Sequence, residues 1–117
     1  MIGIGIIGVG YWGQKHLGEF SRMQGYCSLE AASDLSQANL EKCKALGVQR
    51  TYLDYRDLLA DSKVEAVSIC TNNEMHFEVA KAALLAGKHV LLEKPLTLEV
   101  ETSRELVELA KEKELSL

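Results

Sequence analysis

The sequence predicts an α/β domain, a doubly wound parallel sheet with helices on both faces. Three observations predict it. Short apolar runs alternate with amphipathic segments along the whole chain, as strands joined by helical crossovers do. Residues 66–70 and 88–92 read as strands buried on both faces. The first apolar run breaks into a glycine corner, Gly8-Val9-Gly10-Tyr11-Trp12-Gly13, and a helix follows at once.

The first strand is expected over residues 3–7. The spacing G-x-G-x-x-G occurs twice, at Gly3, Gly5 and Gly8 and again at Gly8, Gly10 and Gly13. Only the second is fed by enough chain to be a strand. A helix over 11–24 should turn Leu17 and Phe20 inward, keep Gln14, Lys15 and Arg22 wet, and close at Gly25. A strand over 27–33 ends at the turn formers Asp34 and Ser36. A helix over 37–46 closes at Gly47, and 48–52 reads as a short strand. Asp54 opens a helix over 55–60 whose first turn carries Asp57, a carboxylate suited to the helix dipole.

The buried run 66–70 is broken by Thr71, Asn72 and Asn73. Alanine and leucine then dominate a helix over 75–86, closed by Gly87. The strand 88–92 stops at Pro95. The last helix, 98–113, should bury Leu98, Leu106, Leu109 and Ala110, with its many Glu and Lys residues on a solvated face. Residues 115–117 read as the start of one more strand, clipped by the end of the chain.

Composition narrows the function. A chain of 117 residues suffices for one domain, and 47% apolar content with a single proline marks it as folded. A net charge of -4 argues against a nucleic-acid partner. No apolar run approaches the ~20 residues that span a bilayer. The N-terminus has no basic region and no cleavage-like site, and Met1 leads straight into a core strand, so no signal peptide and a cytoplasmic protein are expected. Cys27, Cys43 and Cys70 are odd in number and without a C-x-x-C spacing, which predicts reduced, mostly buried thiols and no metal site.

In a parallel sheet with right-handed crossovers, all strand ends of one kind face one edge, and ligands bind there. Four strand ends carry chemistry. Gly8 permits a tight turn, Gly10 close approach of backbone to a pyrophosphate, and Gly13 close packing of helix on strand, with the N–H groups of Tyr11 and Trp12 pointing at the phosphates. An ordinary glycine turn is the alternative. Asp34, some twenty residues beyond Gly13, suits the adenosine ribose hydroxyls and would repel a 2′-phosphate, which favours NAD over NADP. Its alternative is a turn or capping aspartate.

Thr71, Asn72 and His76 could bond the ribose or carboxamide; equally, Asn73 could only cap the helix and His76 only line its first turn. Glu93-Lys94-Pro95 ends the fifth strand. Proline excludes the helical region for Lys94, which fixes the lysine's aim, and the Lys94–Pro95 peptide is expected to be cis. A surface Lys-Pro turn is the plainer reading. Together the four ends make the sheet Rossmann-type.

The glycine corner, the run Val64-Glu65-Ala66-Val67-Ser68-Ile69-Cys70-Thr71-Asn72, and above all Ala83-Leu84-Leu85-Ala86-Gly87-Lys88-His89-Val90-Leu91-Leu92-Glu93-Lys94-Pro95 resemble the N-terminal domain of the Gfo/Idh/MocA oxidoreductases. The resemblance covers essentially the whole chain. It implies a nicotinamide-dependent sugar or polyol oxidoreductase, with Lys94 at the substrate hydroxyl. Cofactor contacts are implied at Asp34, Thr71, Asn72, His76 and Glu93. Asn72 departs from the pattern, where the family usually has proline after the threonine. The resemblance also implies a second, mostly β domain that binds substrate and supplies a proton-transfer histidine, in an enzyme that assembles as a homo-oligomer. No such domain fits within 117 residues. The chain alone is then expected to bind cofactor without turning over. The rival from another class is a non-catalytic nucleotide-binding or redox-sensing module in which Lys94 is only a phosphate or structural contact.

Overall fold

The computed structural model describes all 117 residues. Five parallel strands form one sheet in the order β3-β2-β1-β4-β5. They are β1 (Ile2–Ile7), β2 (Cys27–Ser33), β3 (Arg50–Tyr52), β4 (Ala66–Ile69) and β5 (His89–Leu92). The helices are α1 (Tyr11–Ser21), α2 (Gln37–Ala45), α3 (Tyr55–Leu59), α4 (His76–Leu85) and α5 (Val100–Glu112), with a single 3₁₀ turn at Asn73–Met75. Strand order reverses between β1 and β4. That is the switch point where loops from either side splay apart and leave a crevice.

Alternation along β1 sorts the two layers. Ile4 and Ile6 pack with Leu17 of α1 and with Leu40 and Cys43 of α2. Ile7, Val67, Ile69 and Val90 pack with Leu58, Val79, Ala83, Leu84 and Leu106 on the opposite face. Both faces are therefore covered, as the apolar runs require. All three cysteines are free, with Cys27 and Cys43 buried. No helix is long and apolar enough to cross a membrane.

Element ends depart from the sequence expectation by two residues or more in four places. Helix α1 stops at Ser21 rather than at residue 24, because the N–H groups of Arg22 and Met23 turn back onto Glu19 and Phe20. Val48 donates to Cys43 and closes α2, so β3 starts at Arg50, preceded by a single backbone bond from Gln49 N–H to the Leu29 carbonyl of β2 at 3.3 Å. Leu98 is 63% exposed instead of buried. It lies before α5 starts, in a turn knit by the Thr97 hydroxyl to Glu99, Thr102 and Ser103.

The fourth departure is at residues 115–117, which form no strand. Ser116 accepts one backbone bond from Val90 at 2.9 Å. Leu115 and Leu117 instead line an apolar groove of about 350 Å³ beside β5, with Leu92, Leu96 and Val107.

Candidate cofactor site at the sheet switch point

The second G-x-G-x-x-G register is the one that forms the corner; Gly3 and Gly5 lie inside β1. Gly8 has φ +86°, a conformation L side chains avoid, and a Cβ there would come within 2.8 Å of the Cys70 carbonyl. Gly13 is buried, and a Cβ on it would overlap the Gly8 carbonyl. Gly10 has nothing within 4 Å of its Cβ position. Two glycines thus bring chain against chain, while the middle one faces open space, where a bulky anion could approach the backbone.

Helix α1 begins at this corner without a side-chain cap. Its first intrahelical bond is Gln14 N–H to the Gly10 carbonyl at 3.0 Å, which leaves the N–H groups of Tyr11, Trp12 and Gly13 without a protein acceptor. Free amides at the positive end of a helix dipole attract phosphate. The Tyr11 and Trp12 side chains are exposed and stack edge to face, with ring centroids 5.3 Å apart.

Asp34 stands at the end of β2, as expected, and both its oxygens are engaged. Oδ2 accepts from Val9 N–H at 2.8 Å, and Oδ1 accepts from Ser36 N–H at 2.8 Å. The helix cap of α2 is Ser36, not Asp34, with the Ser36 hydroxyl accepting from Asn39 N–H. Oδ1 also accepts a longer bond from Asn39 Nδ2 at 3.4 Å, whereas Oδ2 keeps a second lone pair with which Asp34 can still accept from a ligand hydroxyl. A cleft of about 370 Å³ opens beside it, lined by Gly8, Asp34, Leu35, Leu53, Thr71 and Asn72 among others. Uncapped amides, an open glycine and a carboxylate at a cleft walled by apolar side chains together with the charged Asp54 and Arg56 fit an adenine dinucleotide.

The Asn72 side chain accepts from Met75 N–H at 3.2 Å, so Asn72 rather than Asn73 caps the turn leading into α4. His76 is 1% exposed. Its Nδ1 lies 2.7 Å from the Pro95 carbonyl and its Nε2 3.3 Å from the Thr71 carbonyl. The ring joins two strand-end loops from behind the cleft and does not line it.

The Lys94–Pro95 peptide is cis, as expected. Lys94 is exposed at the end of β5. Glu93 accepts from Lys94 N–H through Oε2 at 2.9 Å and meets His16 Nε2 through Oε1 at 3.2 Å. Those two partners hold its carboxyl below the usual range. His16 was not among the residues singled out from the sequence. Its spacing offered a signal: it follows Gly13 by three positions and so shares the sheet-facing side of α1. Burial pushes the nearby Cys70 thiol up to about 11, which keeps it protonated at neutral pH.

Residues 2–117 match the family described as "Oxidoreductase family, NAD-binding Rossmann fold", Gfo/Idh/MocA. The chain belongs to the Gfo/Idh/MocA oxidoreductases. Among relatives in this family, the inositol 2-dehydrogenase/D-chiro-inositol 3-dehydrogenase of Lactiplantibacillus plantarum is 36% identical over 109 residues, 90% of this chain and 31% of that protein. The structure of scyllo-inositol dehydrogenase from Lactobacillus casei with NAD(H) and scyllo-inositol is similar at TM-score 0.90 and 30% identity, over 97% of this chain and 34% of that one. Biliverdin reductase from Synechocystis sp. PCC 6803 with biliverdin and NADP+ is similar at TM-score 0.90 and 37% identity, over 99% and 36%. The chain spans about a third of the length of the curated relatives it matches. It is an oxidoreductase NAD-binding domain of a family that includes inositol and sugar dehydrogenases.

Proposed function

We propose that these residues form the cofactor-binding part of an oxidoreductase that moves hydride between a nicotinamide cofactor and a hydroxyl-bearing carbon of a sugar, inositol or sugar nucleotide. NAD(H) is the preferred cofactor. The observation that carries the reading is the meeting at one sheet edge of the uncapped α1 terminus, the Asp34 carboxylate and the Glu93-Lys94-Pro95 loop.

The N–H groups of Tyr11, Trp12 and Gly13 would hold the pyrophosphate, with Gly10 giving it room. Asp34 would accept from the adenosine ribose hydroxyls, and its charge beside Leu35 and Leu53 disfavours a 2′-phosphate. Thr71 and Asn72 would supply a hydroxyl and an amide farther along the cleft. His76 would keep the Thr71 and Pro95 loops at a fixed separation. The bound cofactor supplies the hydride acceptor or donor. Lys94 would hydrogen-bond the reacting substrate hydroxyl and assist loss of its proton.

The relatives are about three times as long as this chain. We therefore assign substrate recognition and the main proton-transfer base to parts of such a protein that lie outside these residues. A dehydrogenase assay with a panel of inositols and sugars tests this division. The 117 residues alone should produce no NADH while still binding it. Polyol-dependent NADH formation by this chain would overturn the assignment.

A further inference from the structure

We propose that His16 is a positioning residue, which as a neutral imidazole protonated on Nε2 ties the cofactor helix α1 to the backbone of Lys94. The proposal rests on the reading of Lys94 as the residue at the substrate, and goes beyond it by naming what holds that lysine.

Four groups form a continuous chain. Ser68 lies in β4 opposite Ile6 in β1, and Ile6 belongs to the layer covered by α1. The Ser68 hydroxyl therefore points at α1, where its Oγ lies 2.7 Å from His16 Nδ1. His16 Nε2 lies 3.2 Å from Glu93 Oε1, and Glu93 Oε2 accepts from Lys94 N–H at 2.9 Å. The His16 side chain is 18% exposed, and Ser68 is buried.

The direction of each bond follows from the chemistry of the ends. The Glu93 carboxyl is held in its ionised form, so both its oxygens can only accept. Nε2 must then carry the proton that faces it. Nδ1 of a neutral ring is left as an acceptor, and the Ser68 hydroxyl donates to it. With this assignment every polar atom in the chain is satisfied by a protein partner. A doubly protonated ring would turn the Ser68 hydroxyl proton away from His16, and the only other nearby group is Cys70 Sγ at 4.0 Å, a weak partner.

The consequence concerns placement. The amides offered to the pyrophosphate sit in the first turn of α1, and His16 sits in the next turn of the same helix. Cofactor seating and the aim of Lys94 are thus linked through one rigid element and one ring.

The test is heteronuclear NMR on the purified protein. Long-range proton–nitrogen correlations should show His16 with the proton on Nε2 and a bare Nδ1. Lys94 amide exchange should speed up about tenfold in His16→Ala, the loss expected for a hydrogen-bond partner of a charged group, and His16→Gln, which keeps a side-chain donor, should restore most of the protection. An Nδ1-protonated ring, or a Lys94 amide unmoved in a folded His16→Ala protein, would overturn the proposal. The wild-type tautomer is read without any substitution, so a variant that fails to fold does not shield the idea. A parallel NADH titration of the wild-type protein separates the two readings. Absent binding would sink the cofactor assignment while leaving the tautomer and the Lys94 amide as stated.

Discussion

Asp34 accepts a hydrogen bond from the backbone N–H of Val9 at 2.8 Å, across the gap between β2 and the glycine corner. The carboxylate proposed to recognise the ribose is therefore also bonded to the backbone of the glycine corner. Asp34→Asn keeps one carbonyl oxygen but loses the charge and one acceptor. NADH affinity should fall by about tenfold or more, and any preference for NADH over NADPH should shrink, both read by calorimetric titration. An unchanged preference would remove Asp34 from cofactor selection.

Gly13→Ala places a methyl group against the Gly8 carbonyl, which belongs to backbone that cannot swing aside. Such overpacking costs about 1–3 kcal/mol, and here it would push the α1 terminus away from the loop. Urea unfolding should show the loss of stability, and NADH binding should weaken beyond what that loss explains. Gly10→Ala makes the useful contrast. It meets open space in the protein, so stability should change little while pyrophosphate binding suffers.

His76→Leu removes the buried ring that lies between the Pro95 and Thr71 carbonyls, and with it a hydrogen-bond donor to this pair of loops. A loss of about 1–3 kcal/mol in thermal or denaturant unfolding is expected, with NADH affinity reduced mainly through the loosened loops. Full stability combined with abolished NADH binding would instead mean that the ring itself touches the cofactor.

Away from the site, Arg50 binds Asp61 at 2.6 Å and Glu30 at 3.1 Å, and the Tyr52 hydroxyl also donates to Asp61. The Arg50 guanidinium holds the Asp61 carboxyl below its usual range, and the same pairing raises Arg50. A depressed carboxyl binds fewer protons folded than unfolded. Its stabilisation is complete above the unfolded value and is lost as pH falls through the folded one. Unfolding free energy should therefore drop as pH falls through and below the ordinary carboxylate range, and Asp61→Asn should flatten that decline while lowering stability at neutral pH. An acid limb of equal slope in the variant would assign the decline to other carboxyls.

Much of the fold was legible because each strand is a short apolar run bounded by turn residues. The range of β2 matches its expectation, and α2, α3 and β4 each end within one residue of theirs. Leu98 misled because helix periodicity was extended into a threonine turn, where side-chain oxygens set the path. The site was legible as strand ends and not as contacts. That Asp34 would meet Val9 follows from β2 lying beside β1. That His16 would reach Ser68 and Glu93 depends on β4 and β5 lying under α1, and His76 disappears behind the cleft only once β5 flanks β4. These bonds span from 19 to 77 residues of sequence, beyond the reach of local spacing.

Calorimetric titration with NADH and NADPH tests the dinucleotide site most directly. Single-site, saturable NADH binding, at least as tight as that of NADPH and weakened by Gly10→Ala, is the predicted result. No saturable heat with either cofactor, or NADPH bound about tenfold more tightly than NADH, a difference of about 1.4 kcal/mol in binding, would contradict it.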